Sequence, residues 1–293
     1  MKHINSISVV ICTKNRARAL EECLGTFETM EVQPDVSLEL IVVDNNSTDD
    51  TKAVIQNFDT QSAMNVKYVF EEKPGLGHAR NAGIAAAHGE IIAFTDDDCF
   101  VDQNWLACIV KEFSSDPLLS GIGGRVELYD VRDKPVTIKT SKRRSLFSSA
   151  EHVFDCIHGC NMAFYRNVFD QIGCFDGRFG AGTLFKSAED TDFIYRVYKN
   201  GFKMIYSPTV CVYHNHGRRT NHQVRALKNG YEIGKGAFYC KHILNRDVGI
   251  LKLAYWEITT VLRLLKNIVV GTSCFATVYC RDYISFRLLR LNR

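Results

Sequence analysis

Three carboxylates stand side by side at Asp96-Asp97-Asp98. Adjacent acids repel and raise one another's pKa unless a cation neutralises them. The triplet follows the apolar run Ile91-Ile92-Ala93-Phe94 directly and precedes Cys99-Phe100-Val101, so buried neighbours pin its backbone. That setting suits a divalent cation held by one or two carboxylates plus substrate phosphates, with Mg2+ or Mn2+ as the matching ion. A solvated acidic loop is the rival reading, and the spaced acids and glycine of a calcium loop are absent. A fourth aspartate, Asp190, follows Glu189 at the head of a stretch whose apolar positions are Phe193, Ile194 and Val197. Asp190 shares their helical face and so points inward. Such a carboxylate either complements a helix dipole or acts as a base. Val210–His216 reads as a strand ending in His214-x-His216, either a metal ligand pair or a polar strand end.

The elements that must position these groups alternate two periods. Ser8–Cys12, Leu38–Val43, Val66–Phe70 and Ile91–Phe94 are short apolar runs of buried-strand type. Between them, Ala19, Leu20, Cys23, Leu24 and Phe27 recur at helical spacing, Ser47 and Asp50 suggest a capping-box start for a helix to Phe58, and 76–88 reads as a helix. Strand, helix, strand, helix predicts an α/β fold with a mostly parallel sheet covered on both faces. Ligands of such sheets bind beyond the carboxyl ends of the strands. There the chain places Thr13-Lys14-Asn15-Arg16, Asp44-Asn45-Asn46-Ser47, Glu71–Gly77 and the triplet, four polar edges on one crevice.

The chain has 293 residues, 46% apolar and 24% charged, which excludes low-complexity disorder and a small disulfide scaffold. A net charge of only +3 gives no reason to expect nucleic acid. Eleven scattered cysteines form no C-x-x-C pair, and the start lacks a secretory h-region, so a reduced, cytoplasmic chain is expected. Cys156, His158 and Cys160 alternate, yet a fourth ligand at the usual zinc spacing is missing.

The motifs together resemble the family 2 glycosyltransferases with the GT-A fold. The matching pieces are Val9–Arg16, Ile41–Asp49, Gly75–Gly83, Asp96–Asp98, Gly159–Phe164 and Glu189–Asp192, in order, across residues 5 to 242. The resemblance implies an inverting transfer of sugar from a nucleotide-diphosphate sugar, UDP by default, to an acceptor hydroxyl. It implies that Asp44 reads the base, with Thr13 and Asn15 beside it, Arg80 as the basic partner, and Asp96 and Asp97 on the nucleotide side. Asp98 and His214 would hold Mn2+ or Mg2+, and Asp190 would be the catalytic base. Glu189, Asn161 and Trp105 form the expected acceptor-binding set, although a core Trp is an equal reading of Trp105.

Residues 1–242 are expected to form the catalytic domain, 1–101 binding the nucleotide and 102–242 the acceptor, with 243–293 a helical basic tail. Residues 130–150 read as a basic insertion bordering the acceptor site or a solvated loop, and 217–246 as a basic flap or a surface helix pair. From 241 to 293 there are nine Lys or Arg against three acids, a charge of +6 that leaves −3 for the rest. Ile268–Cys280 is too short to span a bilayer. The tail is either an interfacial membrane anchor, a helix pair on the domain, or a homodimer interface. A processive polysaccharide synthase is disfavoured, since Gln223-Val224-Arg225-Ala226 does not match its Q-x-x-R-W motif. A nucleotidyltransferase would carry a Gly-rich loop after the first strand. A non-catalytic relic of the fold would not need the triplet and Asp190.

Overall fold

The computed structural model describes residues 3–62, 64–150, 153–255, 257 and 258. In the first half, β1 (Ser6–Thr13), α1 (Ala17–Glu28), β2 (Ser37–Asp44), α2 (Thr51–Gln61), β3 (Asn65–Phe70), α3 (Leu76–Ala86) and β4 (Ile91–Asp96) alternate as the apolar periods predict. β1 to β4 pair parallel, and β1 is buried along nearly its whole length because helices cover both faces. α3 comes close over β1 because residue 83 is glycine; a methyl there would collide with Val10. The expected capping box is not formed. Asp50 makes no side-chain cap bond, and Asp49 instead accepts from the Thr51 amide. Ser47 Oγ is used to accept from the Asn15 amide.

The second half adds β5 (Cys99–Val101), α4 (Trp105–Ser115), β6 (Leu119–Leu128), β7 (Ser145–Leu146), β8 (Asn161–Tyr165), α5 (Arg166–Ile172), α6 (Glu189–Lys199), β9 (Lys203–His214) and α7 (Asn221–Leu244). The sheet runs β3-β2-β1-β4-β8-β6-β9-β5, with β7 on β9. β8 is antiparallel to β4 and β6, and β5 and β7 are antiparallel to β9. The strand order therefore reverses between β1 and β4, where Cys12 pairs with Asp96. That reversal is where an open α/β sheet leaves a crevice.

Aromatic packing fixes the head of α6 against this sheet. Phe193 of α6 stacks on Phe169 of α5 at 4.9 Å and meets Phe164 of β8 edge-on at 5.1 Å. Phe94 of β4 meets Phe169 at 6.0 Å. Residues 221–244 form one helix, α7, in place of the expected flap or helix pair.

The chain divides into two compact units, Met1–Phe238 and Tyr239–Arg293. Residues 259–293, which carry most of the expected anchor or dimer surface, lie outside the described residues. Among the described residues no helix is long and apolar enough to cross a membrane.

Candidate active site

The ends of β1 and β4, with Asn45 after β2 and the head of α3, open onto a cleft of about 760 Å³, within the usual range of small-molecule sites. Its wall includes Thr13, Asp96, Asp97, Asp98, Asp190 and His214.

The triplet turns out to be neutralised by the chain itself. Arg16 Nη1 lies 2.9 Å from Asp97 Oδ1, and its Nη2 lies 2.8 Å from Asp98 Oδ2. Thr13 Oγ1 donates to Asp97 Oδ2 at 2.7 Å. His214, at the end of β9, approaches Asp98 Oδ1 to 3.3 Å through Nε2. Burial pushes Asp97 up to about 7, against the pull of Arg16. Burial acts on Asp98 in the same sense, but His214 and Arg16 outweigh it and hold that carboxyl well below the usual range. Burial alone would lower His214, yet the Asp98 carboxylate raises it to about 9. Asp98 and His214 thus present a carboxylate oxygen and an imidazole nitrogen to each other on the cleft wall. That donor pair fits a divalent cation such as Mn2+.

A single guanidinium joins the triplet to α6. Arg80, 2% exposed on α3, reaches Glu189 Oε1 at 2.8 Å and Asp96 Oδ1 at 3.4 Å. Glu189 is buried, and burial together with the Asp190 charge pushes it up to about 7, against Arg80. Asp190 is half-buried and borders the cleft. Its Oδ2 accepts from the Gly159 amide at 2.8 Å and its Oδ1 from the Thr191 amide at 2.7 Å. Gly159 is needed for that approach, since a Cβ there would lie 2.7 Å from Arg80 Nη2 and 2.8 Å from Asp190 Oδ2. The two amides fix the carboxylate's orientation, the Thr191 hydroxyl adds a longer bond to Oδ1 at 3.4 Å, and Oδ2 keeps a lone pair for a hydroxyl proton.

The residues expected to read the base form the neighbouring edge. Asp44 pairs with Thr13 at the ends of β2 and β1. Its Oδ1 accepts from the Ser47 amide and its Oδ2 from the Tyr68 hydroxyl. Asn15 sits at a φ of 52°, in the left-handed region asparagine tolerates, and its Oδ1 accepts from the Thr48 amide at 2.7 Å. Asp44 is buried and Asn15 exposed, and both brace the loop pair beside Thr13 rather than line the cleft.

Two acceptor-site expectations are corrected. Trp105 is 0% exposed, and its Nε1 donates to Asn161 Oδ1 at 2.9 Å. Asn161 is equally buried and donates to the Arg125 and Val210 carbonyls. They form a buried polar tie between α4, β6, β8 and β9, out of reach of any acceptor. Glu189 likewise turns to Arg80, although it still borders the cleft.

Arg16, His158, Tyr231 and Lys235 also line the cleft; the sequence raises His158 only as a zinc ligand and gives none of the four a role at this site. A cation directly after an apolar strand was the available signal for Arg16. Tyr231 and Lys235 are four apart on one face of α7, a spacing that points to a shared direction but not to its target. The loop at 130–150 reaches the site through Thr137, whose Oγ1 lies 3.3 Å from His214 Nδ1.

Residues 8–173, more than half of the chain, match the family model described as glycosyl transferase family 2. An uncharacterized glycosyltransferase, alr2836, of Nostoc sp. is 33% identical over 130 residues, 44% of this chain and 39% of that protein. Among solved structures, the mannosyltransferase PcManGT from Pyrobaculum calidifontis, in complex with GDP-Man and Mn2+, superposes with a TM-score of 0.63 at 24% identity. That match covers 83% of this chain and 65% of that one. TarS 1-349 of S. aureus in complex with UDP-GlcNAc matches with a TM-score of 0.61 at 19% identity, over 78% of this chain and 64% of that one. The chain thus spans less than two thirds of the length of each of these proteins. The shared architecture is the GT-A fold.

Proposed function

Because the chain belongs to glycosyl transferase family 2, we propose that it transfers a sugar, with inversion, from a nucleotide-diphosphate sugar to an acceptor hydroxyl in glycoconjugate or polysaccharide synthesis. The observation that carries this reading is the Asp96–Arg80–Glu189 bridge, which ties the metal-side carboxylates to the head of α6 and sets Asp190 in the same cleft.

The base of the nucleotide docks at the β1 and β2 edge, where Asp44 offers a carboxylate to a ring N–H and Thr13 and Asn15 hold the loops. UDP is the default nucleotide by the family resemblance, and GDP, bound as GDP-Man in the PcManGT structure, is the alternative. Asp98 and His214 would hold Mn2+ or Mg2+, which supplies neutralisation of the leaving diphosphate. Asp96 and Asp97 face the ribose and nucleotide side. Asp190 accepts the acceptor hydroxyl's proton as that oxygen bonds to the anomeric carbon and the bond to the diphosphate breaks. One displacement inverts the anomeric configuration. Glu189 positions Arg80, and the pair keeps the wall beside Asp190 free of a second unpaired charge. The basic segment 243–293 meets an anionic membrane surface, which would bring the cleft to lipid-linked acceptors.

Thermal-shift titration with UDP-, GDP- and dTDP-sugars, with and without Mn2+, tests this reading. The expected result is stabilisation by one nucleotide class that grows with the cation. No stabilisation by any of them would contradict it.

A further inference from the structure

A second set of ligands meets at the floor of the cleft, behind the carboxylates. Cys99 opens β5 and lies directly opposite His214 in the antiparallel β5–β9 pair. Cys160 stands just before β8. The Sγ atoms of Cys99 and Cys160 and a ring nitrogen of His214 all lie within 4.8 Å of one another, and all three residues are buried. Asp98 Oδ1 is 4.0 Å from Cys99 Sγ and 3.3 Å from His214 Nε2, so a carboxylate completes the group. Three strands supply the ligands, at positions 99, 160 and 214, so no short motif announces them.

We propose that Cys99, Cys160, His214 and Asp98 form a thiolate, imidazole and carboxylate site for Zn2+. Zinc takes four such ligands tetrahedrally, with sulfur at about 2.3 Å and nitrogen at about 2.0 Å, which sets ligand atoms roughly 3.3–3.8 Å apart. Cys99, Cys160 and His214 need to close by at most about 1 Å to reach that spacing, and the Asp98 carboxylate, which borders two of them, must turn to take the fourth corner. Each thiol gives up its proton to solvent as its sulfur bonds the ion. Cys160 and His214 line the cleft, which provides the entry path, while Cys99 lies fully buried behind them. Two sulfurs make the site selective, because thiolates favour Zn2+ where Mn2+ and Mg2+ favour oxygen. The binding site rests on this geometry alone. Its consequence rests on the transfer reading above. Zinc seated here occupies Asp98 and His214, so it blocks the position of the activating cation and shuts the enzyme down.

The test uses the full chain, reduced with a phosphine and free of other chelators. Zn2+ is titrated in competition with a chromophoric chelator, and Co2+ is used as a spectroscopic stand-in. One equivalent of Zn2+ should bind, and Co2+ should show thiolate-to-metal charge-transfer absorption. Cys160→Ser should about halve that absorption and weaken Zn2+ by roughly 100-fold or more while changing Mn2+ affinity less than about 3-fold. Cys174→Ser, at an exposed cysteine, should change neither. Cys99→Ala should behave as Cys160→Ser does, and Cys160→Ser alone decides the matter if the buried Cys99 variant does not fold. Unchanged Zn2+ affinity in Cys160→Ser, or a Co2+ complex without thiolate absorption, would overturn the site. Thiolate-ligated Zn2+ in a chain that binds no nucleotide sugar would uphold the site and remove only its inhibitory role.

Discussion

At the scale of single residues, the cleft is a problem in charge. Five acids, Asp96, Asp97, Asp98, Glu189 and Asp190, line one wall, and Arg16, Arg80 and His214 hold four of them. Asp190 instead accepts from the Gly159 amide and from the amide and hydroxyl of Thr191. Under the proposed function, that contrast marks Asp190 as the proton acceptor and the ion-paired acids as its setting. Asp98→Ala should abolish the Mn2+ dependence of donor binding. Isothermal titration with and without Mn2+ checks this, and wild-type-like dependence would sink the ligand assignment. Glu189 yields a pH prediction. Its folded value, about 7, is above its ordinary 4.5, so between these the native state binds more protons than the unfolded chain. Its contribution is therefore fully present below about 4.5 and lost as pH rises through 7. Glu189→Gln should flatten the fall in unfolding free energy across that window, as urea melts at several pH values would reveal. An unchanged slope would assign the titration elsewhere.

At the scale of elements, the first half was legible and the second much less so. β1, β2 and β4 are mainly apolar and largely buried, and such runs ending in polar residues mark both a buried parallel strand and its functional end. β3, expected as a buried run, is instead a half-exposed edge strand with Lys67 in it. β6 hides its strand character behind Gly121, Gly123 and Gly124, where Phe164, Ile157 and Asn161 press against the backbone. Trp105 and Asn161 show a different limit. Residue type allows either sugar stacking or a core tie, and only the tertiary fold reveals that α4 buries the ring at 0% exposure. Trp105→Phe should therefore cost about 1–3 kcal/mol through the unpaired Asn161 oxygen, plus a smaller loss of packing. Donor and acceptor affinities should stay unchanged in that variant. A raised acceptor KM at unaltered stability would restore the sugar-binding reading.

At the scale of the whole molecule, the modest net charge of +3 conceals a division. Residues 241–293 carry +6 and the remainder −3. Each Lys or Arg near an anionic surface contributes about 1 kcal/mol, which is the basis for proposing that the terminal segment meets one. The full chain should co-sediment with vesicles containing anionic lipid, release as salt is raised, and ignore neutral vesicles. Equal binding to both would remove the membrane proposal without touching the cleft. The cleft itself is tested most directly at Asp190. Asp190→Asn preserves size and loses the proton acceptor, so UDP release in the presence of acceptor glycans should fall by about 10²–10⁴-fold. Labelled UDP-sugar titrated into the same variant should bind within a few-fold of wild type. Transfer at the wild-type rate, or loss of donor affinity in a normally folded variant, would contradict Asp190 as the base.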